Sequence, residues 1–302
     1  MDSRAQYRLG LVLVTGSAVA WSTAGYFTRL IGFDNWTLLF WRGIFAALGI
    51  LVFMLALDGP KAIRQFTALG RPGWLFAAVS GAGMIAYISS LTLTTVAHVA
   101  IIYGIVPFIA AGLSWLLIRE KPTRVAVAAS AAALAGVVIM VGGGTREGSL
   151  AGDFLALLTT LGMAVLIVIS RRHGDLPILA AACLSAFLSA LACAPLALHA
   201  LPTPGELGQL ATMGLVNSAV GISLFTLGSR MLPPVETGLI GSLDAPLAPV
   251  WVWLAFGETP GIQTVAGGIL VFGAVLANVA LGARSRNAAP VAPLGTAESS
   301  MD

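Results

Sequence analysis

The stretch WLLIREKPT (Trp115–Thr123) occurs a second time in altered form as WLAFGETPG (Trp253–Gly261). Trp, Leu, Glu and Pro fall in register when the two stretches are aligned at an offset of 138 residues. Each stretch ends a hydrophobic segment that contains a proline, Pro107 in the first and Pro246 in the second, with a slip of one residue between them. The match predicts that the two halves of the chain contain the same structural unit.

The composition places this unit in a bilayer. Of the 302 residues, 58% are hydrophobic and only 10% are charged, and the mean hydropathy is +0.93. These values exclude a water-soluble domain built around one apolar core. No block of basic residues indicates binding to nucleic acid.

Apolar segments of about 20 residues, the length that crosses a bilayer, follow one another along the chain. The first is interpreted as a retained span and not as a cleaved signal peptide. The tail, residues 284–302, is rich in Pro, Ala and Ser and is expected to be disordered and cytoplasmic. The ten predicted spans are 9–30, 35–57, 73–95, 98–118, 123–142, 150–171, 176–199, 207–230, 236–257 and 261–283.

The distribution of cations predicts the orientation, because Lys and Arg in short loops favour the cytoplasmic side. With the N-terminus inside, only Arg29 and Arg146 lie outside, and Arg42 lies within the second span. Both termini are therefore expected in the cytoplasm. The cations then on the cytoplasmic side are Arg4, Arg8, Lys61, Arg64, Arg71, Arg119, Lys121, Arg124, Arg171, Arg172, Arg230, Arg284 and Arg286.

A second correspondence, between Gly10–Arg29 and Gly152–Arg171, extends the repeat to the first and sixth spans. The alternative is that membrane proteins share a biased alphabet and can mimic a repeat by chance. If the repeat is real, residues 1–145 and 146–283 each contain five spans, and an odd number forces the two halves to be inverted. The predicted fold class is an all-α integral membrane protein of ten helices in two inverted five-helix repeats, an architecture typical of secondary transporters.

Three stretches carry a resemblance to a known family: VPFIAAGLSWLLIREKPT (106–123), APLAPVWVWLAFGETPG (245–261) and AGGILVFGAVL (266–276). Their order of proline, apolar helix, Gly or Arg, Glu and a Gly-rich final helix resembles the EamA branch of the drug/metabolite transporter superfamily over about residues 9–283. Within that branch the chain is most similar to bacterial exporters of amino acids, particularly aromatic ones. The resemblance implies a central cavity walled mainly by spans 1, 3, 4, 6, 8 and 9, scaffold roles for spans 5 and 10, and a bacterial inner membrane location.

Helical spacing selects side chains that share one face within the expected cavity. Trp21, Tyr87 and Tyr103 are aromatic residues set deep in their spans, which suits an amphipathic solute. Met163 corresponds to Trp21 through the repeat, and Phe225 corresponds to Tyr87. Two ordinary explanations compete with a role in binding. Small polar groups often glue membrane helices together, and aromatic residues near span ends often belong to the interfacial belt, as expected of Trp36, Trp74 and Trp251.

The stretch GSLDAPLAP (Gly241–Pro249) contains the one acid deep inside a predicted span, Asp244. Pro246 and Pro249 cannot donate to the carbonyls of Ser242 and Ala245, so these acceptors are expected to face a water-filled cavity. There Asp244 could attract an ammonium group or carry a proton. The alternative is a neutral Asp packed against a neighbouring helix. Kinks that assist gating are predicted at Pro107, Pro246 and Pro249.

Other features have two interpretations each. His98 and Glu236 open the fourth and ninth spans, where a gate or an ordinary helix-end polar group would lie. Arg42 is interpreted as an anchor that reaches the outer surface. Small residues four apart, Ala132 with Gly136 and Gly273 with Ala277, are expected to bring scaffold helices close together. The candidate substrate-binding residues are Trp21, Tyr87, Tyr103, His98, Met163, Asn217, Phe225, Ser242 and Asp244.

Chemistry motifs are missing from the sequence. The sequence contains no G-x-x-x-x-G-K-[ST], the motif expected of an ATP-driven pump. It also contains no H-E-x-x-H or G-x-S-x-G, the motifs expected of a metal-dependent or a serine hydrolase. We therefore expect a non-enzymatic secondary transporter of amino acids or similar small molecules, with no cofactor, metal, nucleic acid or obligatory protein partner. The alternatives are an integral-membrane enzyme acting on a lipid or small molecule, and a passive channel.

Overall fold

The computed structural model describes residues 3–94, 96–141, 149–197, 202–257, 259 and 261–288, and within these ranges the regular structure is helical. The segment Gly214–Val220 is a π-helix. The α-helices are α1 (Ser3–Ser22), α2 (Ala24–Leu30), α3 (Asn35–Asp58), α4 (Lys61–Thr67), α5 (Gly70–Leu93), α6 (Val96–Tyr103), α7 (Val106–Ile118), α8 (Arg124–Val141), α9 (Leu150–Arg172), α10 (Ile178–Cys193), α11 (Pro204–Met213), α12 (Gly221–Ser229), α13 (Pro234–Gly241), α14 (Asp244–Phe256) and α15 (Ile262–Ala288).

Seven helical segments in the described residues are long and apolar enough to cross a membrane when short breaks are bridged. Two further apolar helices, Arg124–Met140 and Ile178–Cys193, are shorter. The chain is thus a multi-pass membrane protein. The seven segments are Trp36–Asp58, Gly70–Ser90, Val99–Ile118, Leu150–Arg172, Pro204–Ser229, Pro234–Phe256 and Ile262–Leu281.

The structure differs from the expected spans at both ends and in one loop. The first predicted span is interrupted at Thr23, whose hydroxyl donates to the carbonyl of Ala20 at 2.6 Å. The loop after α3 contains the short helix α4. Helix α15 continues to Ala288, beyond the predicted end at 283, so the start of the tail is helical and not disordered. Residues 289–302 lie outside the described residues.

Helix α3 begins at a capping acid. One carboxylate oxygen of Asp34 accepts from the backbone N–H groups of Trp36 at 2.9 Å and Thr37 at 3.1 Å. Burial raises the pKa of this carboxyl, but the hydrogen bonds from Thr37 and Trp36 outweigh that effect and leave the pKa below its ordinary value. The cap satisfies N–H groups that would otherwise be unpaired and so fixes where α3 starts.

Two broken helices form the centre of the fold. Helix α6 ends at Tyr103 and α7 starts at Val106, with Pro107 as its second residue. In the other half, α13 ends at Gly241 and α14 starts at Asp244, with Pro246 as its third residue. Each proline lies in a first helical turn, where its missing N–H removes no internal hydrogen bond. The break therefore precedes each proline.

The prediction of a freed carbonyl at Ser242 is wrong. The N–H of Ala245 reaches back to the Ser242 carbonyl oxygen at 3.4 Å, as part of the tight turn that separates α13 from α14. Because the helix breaks one turn before Pro246, a tight turn brings the N–H of Ala245 to the Ser242 carbonyl, which Pro246 cannot reach with an N–H of its own.

The two stretches that match in sequence also end their helices in the same way. Arg119 follows α7 with φ 57° and Gly257 follows α14 with φ 70°, both in the left-handed region. These residues occupy equivalent positions of the sequence match. Glycine adopts this conformation without strain, whereas an L-residue there costs roughly 1–2 kcal/mol. Arg119 and Gly257 thus end their helices with the same backbone geometry, although only the glycine does so without strain.

Helices α8 and α15 pack along one another through two glycines. A Cβ atom at Gly136 would lie 2.7 Å from the carbonyl oxygen of Gly267, and a Cβ at Gly267 would overlap the carbonyl oxygen of Gly136. The predicted contact of Gly136 agrees with this packing. The predicted contact of Gly273 is wrong, because a Cβ there meets nothing within 4 Å. Ala277 lies on the same exposed side.

Candidate functional site

A central cavity lies where the two broken helices cross. It is small in this structure, with room for about one water molecule. The crossing is tight, because a Cβ at Gly238 of α13 would lie 3.3 Å from the Cα of Pro107 in α7. Both halves of the chain contribute to the wall. The lining residues are Trp21, Tyr103, Val106, Pro107, Met163, Phe225, Thr237, Gly238, Gly241 and Ser242.

An aromatic pair forms one side of the cavity. The rings of Trp21 and Phe225 have centroids 4.9 Å apart and are tilted by 40°, within the range of favourable aromatic contacts. The indole lies directly on Gly221, where a Cβ would approach Trp21 Nε1 to 2.5 Å. Any larger residue at 221 would push the indole away. Gly221 therefore fixes the position of the Trp21 ring in the wall.

Two hydroxyls of the wall already use their protons. Ser242 Oγ donates to the carbonyl of Leu239 at 2.6 Å, and Thr237 Oγ1 donates to that of Pro233 at 3.1 Å. A hydroxyl that donates to its own helix keeps its oxygen lone pairs as acceptors. The cavity thus combines aromatic surface with acceptors suited to an N–H donor, such as an ammonium group.

The structure brings six of the sequence-predicted residues together in this wall. Five of them were predicted to bind substrate, and Pro107 was predicted as a kink. Helical spacing selected Trp21, Met163 and Phe225. The depth of its span selected Tyr103, and the two proline-containing stretches selected Pro107 and Ser242. The residues are Trp21, Tyr103, Pro107, Met163, Phe225 and Ser242.

Asn217 has a structural role and does not line this cavity. Its side chain is 2% exposed, and its Nδ2 donates to the carbonyls of Ala20 and Trp21, both at 3.0 Å. These carbonyls lie at the end of α1, where regular helical acceptor pairing stops. In this structure the amide of Asn217 therefore secures the backbone that carries Trp21, and its predicted role in substrate binding stays a prediction.

Tyr87 and Asp244 lie beside the cavity and are absent from its lining. The Tyr87 ring is 6.4 Å from the ring of Tyr103 and tilted by 57°. The carboxylate of Asp244, in the first turn of α14, lies within electrostatic range of both tyrosines. Among the side chains that the structure describes, no cation forms an ion pair with Asp244.

The remaining predicted residues lie elsewhere. Pro246 is buried and faces the scaffold, where a Cβ on Gly268 of α15 would lie 3.3 Å from the Pro246 Cβ. Pro249 lies inside α14. His98 belongs to α6, but its side chain is outside the described part of the structure. The expectation that the whole Asp244 segment faces the cavity is thus too broad, since Pro246 faces α15.

Arg42 is the functional candidate that sequence reasoning misjudged. It was expected to reach the outer surface, yet the residue is only 8% exposed. Its Nη2 contacts the sulfur of Met84 at 2.9 Å. The signal was present in the sequence, because Arg42 is the one Lys or Arg of the ten predicted spans that lies away from a span end, and a charge inside a membrane helix marks a functional site by default.

Contacts between the two halves lie on either side of the cavity, towards opposite ends of α1. At the arginine-rich end, Tyr7 Oη donates to Glu236 Oε2 at 2.8 Å, and Arg171 Nε lies 3.3 Å from Glu120 Oε2. At the other end, Trp251 Nε1 donates to Ser22 Oγ at 2.8 Å. Tyr7 and Ser22 are about 22 Å apart along α1. Trp251, expected in the interfacial belt, here ties α14 to α1.

The chain is similar to one known protein family and to solved structures. The model of the family described as "EamA-like transporter family" matches residues 8–142 and again residues 150–280. A solved structure titled only "Crystal structure of protein" is similar with a TM-score of 0.78 and 19% identity, covering 91% of this chain and 98% of that chain. At this identity the likeness concerns the fold alone. No functionally curated protein matches the chain.

Proposed function

The chain belongs to the EamA-like transporter family, and on that premise we propose that it exports amino acids, aromatic ones included, or related amphipathic metabolites. The cavity between the broken helices carries the proposal. Its aromatic pair offers ring faces to an apolar or aromatic group, and its hydroxyl oxygens offer acceptors to an ammonium group. A solute that fits both features has a ring or chain at one end and an N–H donor at the other.

The mechanism proposed is alternating access, in which one half moves against the other around the central cavity. It includes ten spans in two inverted five-helix repeats, residues 1–145 and 146–283, with both termini in the cytoplasm of a bacterial inner membrane. The two sets of contacts between the halves support it. Breaking Tyr7–Glu236 and Arg171–Glu120 would open one side, and breaking Trp251–Ser22 would open the other. Both sets of contacts are formed in this structure.

An integral-membrane enzyme is the competing function, and a flux measurement separates the two. Purified protein in sealed vesicles is expected to exchange labelled phenylalanine with time, saturably and without chemical change. Formation of a new product would support an enzyme, and a flux that does not saturate would support a channel. Repeating the assay with and without a pH gradient tests proton coupling.

Replacing Trp21 with alanine is expected to lower the flux of tryptophan and phenylalanine about three- to tenfold while changing that of alanine little. The substitution removes the ring that packs on Phe225, and an aromatic pair is worth about 0.5–1.5 kcal/mol beyond its buried area. Initial rates for the three amino acids in vesicles measure the effect.

The matched control for this change is Trp74→Ala, which removes a tryptophan that is 55% exposed on α5 and does not line the cavity. It should leave the ratio of the three rates unchanged. If Trp21→Ala reduced all three rates equally, Trp21 would be a packing residue and would not select the solute.

A further inference from the structure

Arg42 is a charged residue buried far from the end of its helix. It lies about 10 Å along the axis of α3 from Asn35, its first residue, and only 8% of the residue is exposed. A cation at such a place in a membrane protein is costly and is normally paired with an acid or with backbone carbonyls. The neighbours of Arg42 therefore show whether the charge already has a partner within the protein.

None of the described neighbours neutralises this cation. The hydrogen-bond partner of Nη2 is the Met84 thioether, a weak acceptor. The ionisable groups within electrostatic range are Tyr87 and Cys193, both of which are ordinarily neutral at pH 7. Among the residues that the structure describes, no carboxylate forms an ion pair with Arg42.

The unpaired N–H groups of Arg42 are not sealed off. Among the described side chains, five polar atoms are both fully covered and without a partner, and none of them belongs to Arg42. Its Nε and Nη1, which have no described partner, therefore still open onto accessible space. A guanidinium with free donors in a mostly buried position is arranged to receive an acceptor.

Tyr87 connects this cation to the central cavity. Met84 and Tyr87 are one helical turn apart on α5, and the Tyr87 ring lies 6.4 Å from that of Tyr103. Tyr103 belongs to the cavity wall. Tyr87 is also within electrostatic range of both Arg42 and Asp244. A cation and an anion thus flank the pair of tyrosines.

We propose that Arg42 binds the carboxylate of a solute in a subsite that runs from the cavity along Tyr103 and Tyr87. The inference rests on the proposed function and narrows it to solutes that carry a carboxylate beside their ring and ammonium group. A guanidinium can hold a carboxylate through two parallel hydrogen bonds. The solute then supplies the counter-ion that the described neighbours of Arg42 do not.

The same arrangement disfavours solutes without a carboxylate. An amine that lacks a carboxylate would leave Arg42 unpaired and would place a second cation near it. Selectivity of this kind comes from leaving a buried charge without a partner when the wrong solute binds.

Three probes that share a phenyl ring test the proposal: phenylalanine, phenethylamine, which lacks the carboxylate, and 3-phenylpropionate, which lacks the amine. Binding to the purified full chain is measured from ligand-induced thermal stabilisation, and flux is measured in vesicles. Wild-type protein should bind phenylalanine at least about tenfold more tightly than phenethylamine. Arg42→Gln should weaken binding of phenylalanine and 3-phenylpropionate about 10- to 100-fold, the range of a hydrogen bond to a charged group, and should not weaken binding of phenethylamine.

The control is Arg64→Gln, the same change at an exposed arginine of α4, which should keep all three affinities. Arg42→Lys keeps the charge without the planar fork, so it should keep the preference for phenylalanine but reduce it several-fold. Equal wild-type affinity for phenylalanine and phenethylamine overturns the inference even if Arg42→Gln fails to fold. A ratio of phenylalanine affinity to phenethylamine affinity that neither Arg42→Gln nor Arg42→Lys alters also overturns the inference. Binding with the expected ratio but without flux would instead overturn the proposed transport function.

Discussion

Leucine in place of Gly267 is expected to remove most of the folded protein. At this position α15 touches α8, where an added Cβ would overlap the carbonyl oxygen of Gly136 and lie 2.5 Å from Met140 Cγ. The Gly136 oxygen belongs to the backbone and cannot rotate away, so the two helices must separate. Overpacking of this kind costs about 3 kcal/mol or more, and the small-residue contact that holds membrane helices together is lost with it. The yield of monodisperse protein and its thermal midpoint measure the effect.

Gly136→Leu should have the same effect, since its Cβ would lie 2.7 Å from the Gly267 oxygen and 3.1 Å from the Val271 nitrogen. Gly273→Leu is the matched control on the same helix, because its Cβ meets nothing within 4 Å. It should fold at least as well as wild type, as leucine favours helix over glycine by about 1 kcal/mol. Normal folding of Gly267→Leu, or a loss in Gly273→Leu equal to it, would contradict the assigned packing face.

The choice between these glycines shows what the sequence could not decide. Gly267 and Gly273 are six residues apart, which rotates them by about 600° and places them on different faces of α15. Each has small neighbours in the sequence, and both faces are apolar. Because lipid and a packed helix are equally apolar surroundings, hydrophobic patterning does not tell them apart. Only the position of α8 selects Gly267.

The sequence predicted two broken helices but not the residues at which they break. The prolines at 107 and 246 and the matching stretches after them indicated two interrupted segments in corresponding places. Where the break falls depends on a further rule: proline is tolerated in a first helical turn. The chain therefore breaks before each proline, and the Ser242 carbonyl finds the N–H of Ala245.

The cavity wall was predicted best where two signals coincided. Trp21 and Met163 correspond through the repeat and also lie on the inward stripe of their helices, and both line the cavity. Asn217 shared the stripe, but an amide that binds a solute and one that binds the end of a broken helix look the same in sequence. The break after α1, which gives Asn217 its partners, is not marked by a proline in the sequence.

Asp244→Asn is expected to lower the flux and binding of phenylalanine and phenethylamine about tenfold or more, while 3-phenylpropionate is affected least. The amide keeps the size of the side chain and most of its hydrogen bonding but removes the charge that attracts an ammonium group. A hydrogen bond to a charged group is worth about 1.5–3 kcal/mol, which corresponds to roughly tenfold to more than a hundredfold in affinity. If Asp244 also carries a proton during transport, the pH dependence of the flux should flatten in this variant.

The position of Asp244 favours this outcome over a packed, neutral carboxyl. It starts α14 at the break between two helices, where the positive end of the helix dipole stabilises an anion, and the residue is partly exposed. Among the described residues no neighbouring helix offers it a hydrogen bond. Asp58→Asn, the same change at an exposed acid at the end of α3, should leave every flux unchanged. Should Asp244→Asn transport all three probes at the wild-type rate with the same pH profile, Asp244 is structural, and the ammonium subsite must be sought at the acceptor oxygens of Thr237 and Ser242.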